Sequence, residues 1–164
     1  MSRPRERPIS LAYIAQAADH DRLEWIDGKE LQILLDGSQT GNQVTVVRSR
    51  LGAGSASPLH LHRNEDEMFV VLKGHGTFWV GEEQHEVGEG GVLFLPRDVP
   101  HAYRFDAPEV DLLTICTPSG MEGFFRGAGR RVTDPRPDGW QITMAALAAA
   151  AAAGGQEILG PPPG

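Results

Sequence analysis

Two histidines one residue apart, His60 and His62, are followed by the acidic run Glu65, Asp66 and Glu67 and then by an apolar segment, residues 68–72. Side chains at i and i+2 of a strand point to the same face, so the two imidazoles stand side by side and could chelate a cation if that face looks inward. If the next strand starts near Glu67, then Glu67, Phe69 and Val71 share one face while Met68, Val70 and Leu72 share the other. Both faces are apolar beyond the first residue. A carboxylate at the head of such a strand lies beside a core, where an isolated charge is costly unless it is paired or bound to metal. A divalent cation held by His60, His62 and Glu67 removes that cost. A fourth candidate ligand, His101, follows an apolar strand and a proline turn, with Tyr103 and Phe105 on its own face. Three imidazoles and one carboxylate form a nitrogen and oxygen set suited to one divalent transition metal ion, whether Fe, Mn, Ni, Co, Cu or Zn. One or two positions stay open for water or substrate.

These side chains need strands to carry them. From about residue 24 to residue 117, short apolar segments alternate with turn residues at close intervals, which predicts an all-β sandwich or barrel. Asp27-Gly28 and Asp36-Gly37 are hairpin signals. Strands are expected over 31–35, 43–50, 67–72, 76–80, 84–87, 92–95, 102–105 and 110–117. Beyond them, Ser119 and Glu122 are spaced as a capping box ahead of a short helix through Phe124 and Phe125. Residues 133–139 read as a linker. An alanine-rich helix over 143–153 follows, with Thr143 as its cap and Gly154-Gly155 as its stop. Isolated helices need ~12–15 residues even when rich in alanine, so this one must dock on something. The expected organisation is an N-terminal arm at 1–23, a β-barrel at 24–117, and a C-terminal helical extension at 118–164 packed on the barrel.

Gly54, five residues, His60-x-His62, four residues, Glu67, six residues and Gly74 resemble the first motif of the cupin superfamily. Gly90, five residues, Pro96-x-Asp98, two residues and His101 resemble the second, with Asp98 where that motif usually has glycine and Phe105 where it usually has asparagine. Fifteen residues separate Gly74 from Gly90, a spacing similar to that of bacterial single-domain cupins. The resemblance implies a double-stranded β-helix, the cupin jelly-roll barrel, with short C-terminal helices and with the metal inside, bound by His60, His62, Glu67 and His101. The run Pro96-Arg-x-x-Pro-His101, the Phe-Phe helix and the closing Leu-Gly-Pro-Pro are similar to small cupins of the quercetin 2,3-dioxygenase kind. That likeness implies a dioxygenase acting on an aromatic or enolic small molecule, in which Glu67 both ligates the metal and takes a proton from an enol hydroxyl.

Phe69, Tyr103 and Phe105 each lie two or four residues from a candidate ligand, and strand parity assigns them to the substrate pocket. Phe124 and Phe125 either close its mouth or pin their helix to the barrel. His20, His75 and His85 fit no ligand spacing and read as surface or turn residues. Glu65 and Asp66 read as capping or solvating the turn before the strand. Cys116 is the single cysteine and sits in an apolar run, which suits a buried thiol. Two other classes compete with the oxygenase. One is a non-oxidative isomerase, cyclase or decarboxylase in which Glu67 and Tyr103 shuttle protons. The other is a metal-containing small-molecule binding module.

Net charge is −7, and basic residues cluster only at Arg3, Arg5 and Arg7, read as a solvated arm, and at Arg130-Arg131. Phosphate backbones need a concentrated basic face, so nucleic acid is excluded as the main partner. No apolar run approaches the ~20 residues of a membrane span, and the first residues lack the apolar core of a secretory signal. A cytoplasmic protein is expected. Met68, Val70 and Leu72 would leave an apolar stripe on the outside of the barrel, which predicts a homodimer.

Overall fold

The computed structural model describes residues 11–164, so the arginines at 3, 5 and 7 lie outside the described residues. Strands β1 (Asp21–Glu24) and β2 (Glu30–Leu35) come first, then the one-turn helix α1 (Gly37–Thr40) and β3 (Thr45–Leu51). Next are β4 (Leu59–His62), β5 (Asp66–Lys73), β6 (His75–Val80), β7 (Glu83–Gly88), β8 (Val92–Leu95), β9 (His101–Phe105) and β10 (Val110–Thr117). Helix α2 (Met121–Ala128), β11 (Arg130–Arg131), helix α3 (Met144–Ala153) and β12 (Gln156–Gly160) follow. The strands form two antiparallel sheets, one of seven strands in the order β11-β1-β2-β3-β10-β5-β8 and one of five in the order β12-β4-β9-β6-β7. This is the expected double-stranded β-helix jelly roll.

Period-two alternation creates the inner faces. Strand β10 buries Val110, Leu112, Thr114 and Cys116 while the residues between them stay half-buried, and β5 buries Glu67, Phe69 and Val71. Between the sheets Val110, Leu112, Phe69 and Val71 meet Phe78, Leu93, Leu95 and Phe105 in the main core. A second cluster joins Leu23, Leu31, Ile33, Val47 and Cys116 to Met121 and Phe125 of α2. Cys116 behaves as expected of a small hydrophobe, since burial pushes its thiol pKa up and keeps it neutral. The turn from β5 to β6 depends on Gly74, whose φ of 86° favours glycine and whose added Cβ would meet the Glu109 carbonyl oxygen at 2.6 Å.

Three expectations change. Asp21, Arg22 and Leu23, assigned to the N-terminal arm, belong to β1, which pairs with β2 and β11. Their strand is hard to read locally because a single buried leucine stands among charges that find partners only in the fold: Asp21 with Arg126, Arg22 with Glu30, and Glu24 with Arg130. Secondly, the 118–164 extension is not wholly helical, since β12 extends the five-stranded sheet by pairing with β4. Residues 156–160 show no alternation of burial, so the neighbouring backbone rather than side-chain pattern makes them a strand.

Thirdly, the cap of α2 is Gly120 and not Ser119, and Glu122 serves other donors. Its carboxylate accepts from the backbone N–H groups of Gly37 at 2.9 Å and Gly120 at 2.8 Å, and from the Thr45 hydroxyl. Burial alone would raise this acid, but those bonds outweigh it and hold its pKa below the usual carboxylate value. A depressed folded-state pKa contributes stability above the unfolded pKa that is lost as pH falls through the folded one. Glu122→Gln is therefore expected to cost about 1–3 kcal/mol in urea unfolding at pH 7. The gap to the parent should narrow in acid; an equal gap at both pH values would contradict this account.

Candidate metal centre

β4 and β9 are hydrogen-bonded neighbours, and His60 on the first stands opposite His101 on the second. His62 lies two residues along β4, while Glu67 enters from the opposite sheet as the second residue of β5. All four side chains are buried, and one ligand atom from each lies within 4.8 Å of all the others. Atoms around a cation at ~2.0–2.2 Å are separated by distances of that order. Among these atoms His101 Nε2 lies 2.9 Å from Glu67 Oε2, and His62 Nε2 lies 3.2 Å from it.

The other ring nitrogen of each histidine is already held. His60 Nδ1 faces the Pro58 carbonyl at 2.8 Å and His101 Nδ1 faces the Val99 carbonyl at 3.0 Å. His62 Nδ1 meets Glu65 Oε1 at 2.7 Å. These bonds turn the three Nε2 atoms toward one point, as a metal site requires. His62 Nε2 is buried there without a well-directed hydrogen-bond partner, despite its proximity to Glu67.

The electrostatics are those of a pocket set for positive charge. Burial and the neighbouring His101 pull the His60 pKa down to about 4, which leaves a neutral imidazole with a free lone pair. Burial acts the same way on His62, but the hydrogen bond to Glu65 and the nearby carboxylate of Glu67 outweigh it and raise that pKa to about 9. Burial opposes ionisation of Glu67, yet the hydrogen bond from His101 and the nearby His62 imidazole hold its carboxyl well below the usual range. A metal ion at the shared point would supply the positive charge this arrangement favours and would occupy the orphaned Nε2. The residues fit a divalent transition metal.

Asp98 has φ 68°, the left-handed backbone of the glycine it replaces in the motif, so the turn before β9 keeps its shape. Its N–H donates to the His62 carbonyl at 2.8 Å, and its carboxylate accepts from Arg63, which also reaches Glu157 on β12.

The cluster opens on a cavity of about 570 Å³, with His60 and Glu67 in its wall. Phe69 and Tyr103 line it. Phe105 does not. It is 0% exposed and packs in the main core, 5.6 Å from Phe78 and 5.0 Å from Tyr103 between ring centroids. Parity places it correctly inside, but four residues beyond His101 the barrel is already filled by its core. Phe124 and Phe125 line the cavity and pack edge-on against Trp25, which pins their helix.

Sequence reasoning misses several wall residues: Trp25 from the segment after β1, Met144 and Leu147 from α3, and Gln156 and Ile158 from β12. None has a local signal, because the last two elements are brought over the cavity by strand pairing and by helix packing. Glu65 is also corrected. It does not solvate a turn; it is 2% exposed and holds His62. Asp66 pairs at the surface with Arg97, and His75 and His85 are exposed away from the cluster.

Residues 47–118 match the cupin domain family. Quercetin 2,3-dioxygenase of Bacillus subtilis is 28% identical over 121 residues, which cover 73% of this chain and 35% of the relative. The protein of the same name from Aspergillus japonicus is 23% identical over 129 residues, covering 74% of this chain and 37% of that one. The chain thus spans about a third of the length of these curated relatives. An RmlC-like cupin from Shewanella frigidimarina superimposes with a TM-score of 0.58 at 16% identity, over 68% of this chain and 96% of that one, a likeness of fold.

Proposed function

This chain carries a cupin domain, and from that premise we propose that its barrel is a metal-dependent dioxygenase site for an aromatic or enolic small molecule. His60, His62, Glu67 and His101 would hold the ion. The observation that carries the reading is the chemistry of the cavity wall, which is mostly aromatic and aliphatic and, among the described residues, includes no lysine or arginine. A phosphate or polycarboxylate would enter it without a cationic side chain to meet it. A flat neutral molecule with one acidic hydroxyl suits it better, because Phe69, Trp25 and Phe124 offer ring faces and edges.

When bound, the metal supplies Lewis-acid and redox chemistry in a site shielded from water. Glu67 stands in the cavity wall, where it can meet a substrate hydroxyl, and binding that oxygen to the metal would acidify the hydroxyl enough for so weakly basic a carboxylate to take its proton. Burial pushes the Tyr103 pKa up, which keeps its phenol protonated as a hydrogen-bond donor to a substrate oxygen.

The test is an oxygen-electrode screen of flavonols and other enols with protein loaded in turn with Fe, Mn, Ni, Co and Cu. Oxygen uptake matching substrate loss is expected, and Glu67→Gln should lower kcat by about 10²–10⁴-fold. Turnover without oxygen uptake would assign a non-oxidative enzyme, and no turnover with any metal would leave a binding module.

The outer face of the seven-stranded sheet supports a homodimer. Met68 stands beside Phe94 and Val70 beside Val92 across the β5–β8 pair, and Val92 and Phe94 are 66% and 60% exposed on the edge strand. An apolar patch of this kind on an edge strand is self-complementary and costly to leave in water. Phe94→Glu is expected to halve the mass seen by light scattering; an unchanged mass would place the interface elsewhere.

A further inference from the structure

We propose that Glu65 is a positioning residue of the metal centre, fixing His62 through Nδ1 and lending that imidazole the charge of a buried carboxylate. This rests on reading the four-residue cluster as a metal site. The three histidines are oriented in two different ways. His60 and His101 each lean on a main-chain carbonyl two residues back, a neutral acceptor that local geometry supplies. His62 instead leans on Glu65, three residues ahead, at 2.7 Å. Both partners are almost wholly buried.

A second acid so close to Glu67 is unfavourable in a fold unless positive charge compensates it. Its neighbours show that burial is not forced by the chain, since Arg63 and Asn64 are exposed and Asp66 reaches the surface to pair with Arg97. His62 is the only hydrogen-bond partner of the Glu65 carboxylate among the described residues. The arrangement is a carboxylate–histidine–metal relay, which fixes the tautomer and ring direction and raises the basicity of the ligating nitrogen.

The test compares Glu65→Gln, Glu65→Ala and the control Asp66→Asn by competition with a chromogenic chelator for Zn²⁺, and by the visible spectrum of the Co²⁺ forms. Gln keeps the shape and an acceptor oxygen but removes the charge; Ala removes both. Zn²⁺ affinity is expected to fall about 10-fold in Glu65→Gln and up to about 100-fold in Glu65→Ala, and to hold in Asp66→Asn. The Co²⁺ bands should shift in Glu65→Ala as the His62 ring is released. Thermal midpoints of the metal-free proteins show whether the fold alone is affected. A stability loss with Zn²⁺ affinity within threefold of the parent would overturn the proposal and leave the metal site standing. A parent that binds neither ion would overturn both.

Discussion

Replacing His101 with alanine is expected to strip the metal from the purified protein. Loss of an outer partner of a metal ligand costs ~10–100-fold in affinity, and loss of a direct ligand should exceed that range. Elemental analysis and chelator competition read the effect. His101 contributes in two ways, because its Nε2 also lies 2.9 Å from Glu67 Oε2 and helps keep that buried carboxylate ionised. The metal-free variant is therefore expected to be less stable as well, since it leaves a buried charge with fewer partners. His60→Ala separates the two effects, because the ring bond of His60 goes to the Pro58 carbonyl rather than to Glu67. Its affinity should fall similarly with a smaller stability loss. His75→Ala, on the exposed start of β6, should change neither. Near-parental affinity in both His60→Ala and His101→Ala would sink the assignment of this cluster as the metal site.

Phe105→Ala is expected to cost about 3–5 kcal/mol in denaturant unfolding, the range for truncating a buried phenylalanine. Set against a total stability of about 5–15 kcal/mol, that is a large share. The reason is how completely the ring is enclosed. Phe78 and Tyr103 pack on it, and Gly76 lies so close that a Cβ there would sit 2.4 Å from its Cδ1. Zn²⁺ affinity should remain within about threefold of the parent, since no contact to the four-residue cluster is lost and distant sites are nearly independent. Phe69→Ala makes the contrast, because Phe69 belongs to the core and also lines the cavity, so it should change substrate KM as well as stability. A Phe105→Ala protein with parental stability and altered KM would return Phe105 to the pocket wall.

The two phenylalanines show where sequence reasoning stops. Alternation alone places Phe69 and Phe105 on inward faces, because each side chain's direction in a strand follows from the local backbone. How far along the barrel axis a residue sits, and whether it meets cavity or core there, depends on what the opposite sheet contributes. The same division separates Glu67 from Glu65. Strand parity beside an apolar run marks Glu67 as a buried charge, whereas Glu65 precedes the strand in a polar stretch that looks solvated from composition. Only the fold of that turn against His62 buries it.

By itself the sequence determined strands β2, β3 and β5 to β10, though the strands expected from it omitted β4, and it picked out the three histidines and one glutamate, because these are written in short-range periodicities of two and in motif spacings. It also located both C-terminal helices, through Thr143, the glycines that follow α3, and the Phe-Phe pair. Tertiary structure alone decided that β1 and β12 are strands, that Glu65 is buried against His62, that Phe105 is core, and that Trp25, α3 and β12 wall the cavity. Each of these depends on partners far away in the chain, such as β12 pairing with β4 across roughly a hundred residues. Backbone pairing and burial against distant surfaces leave no mark on a local pattern.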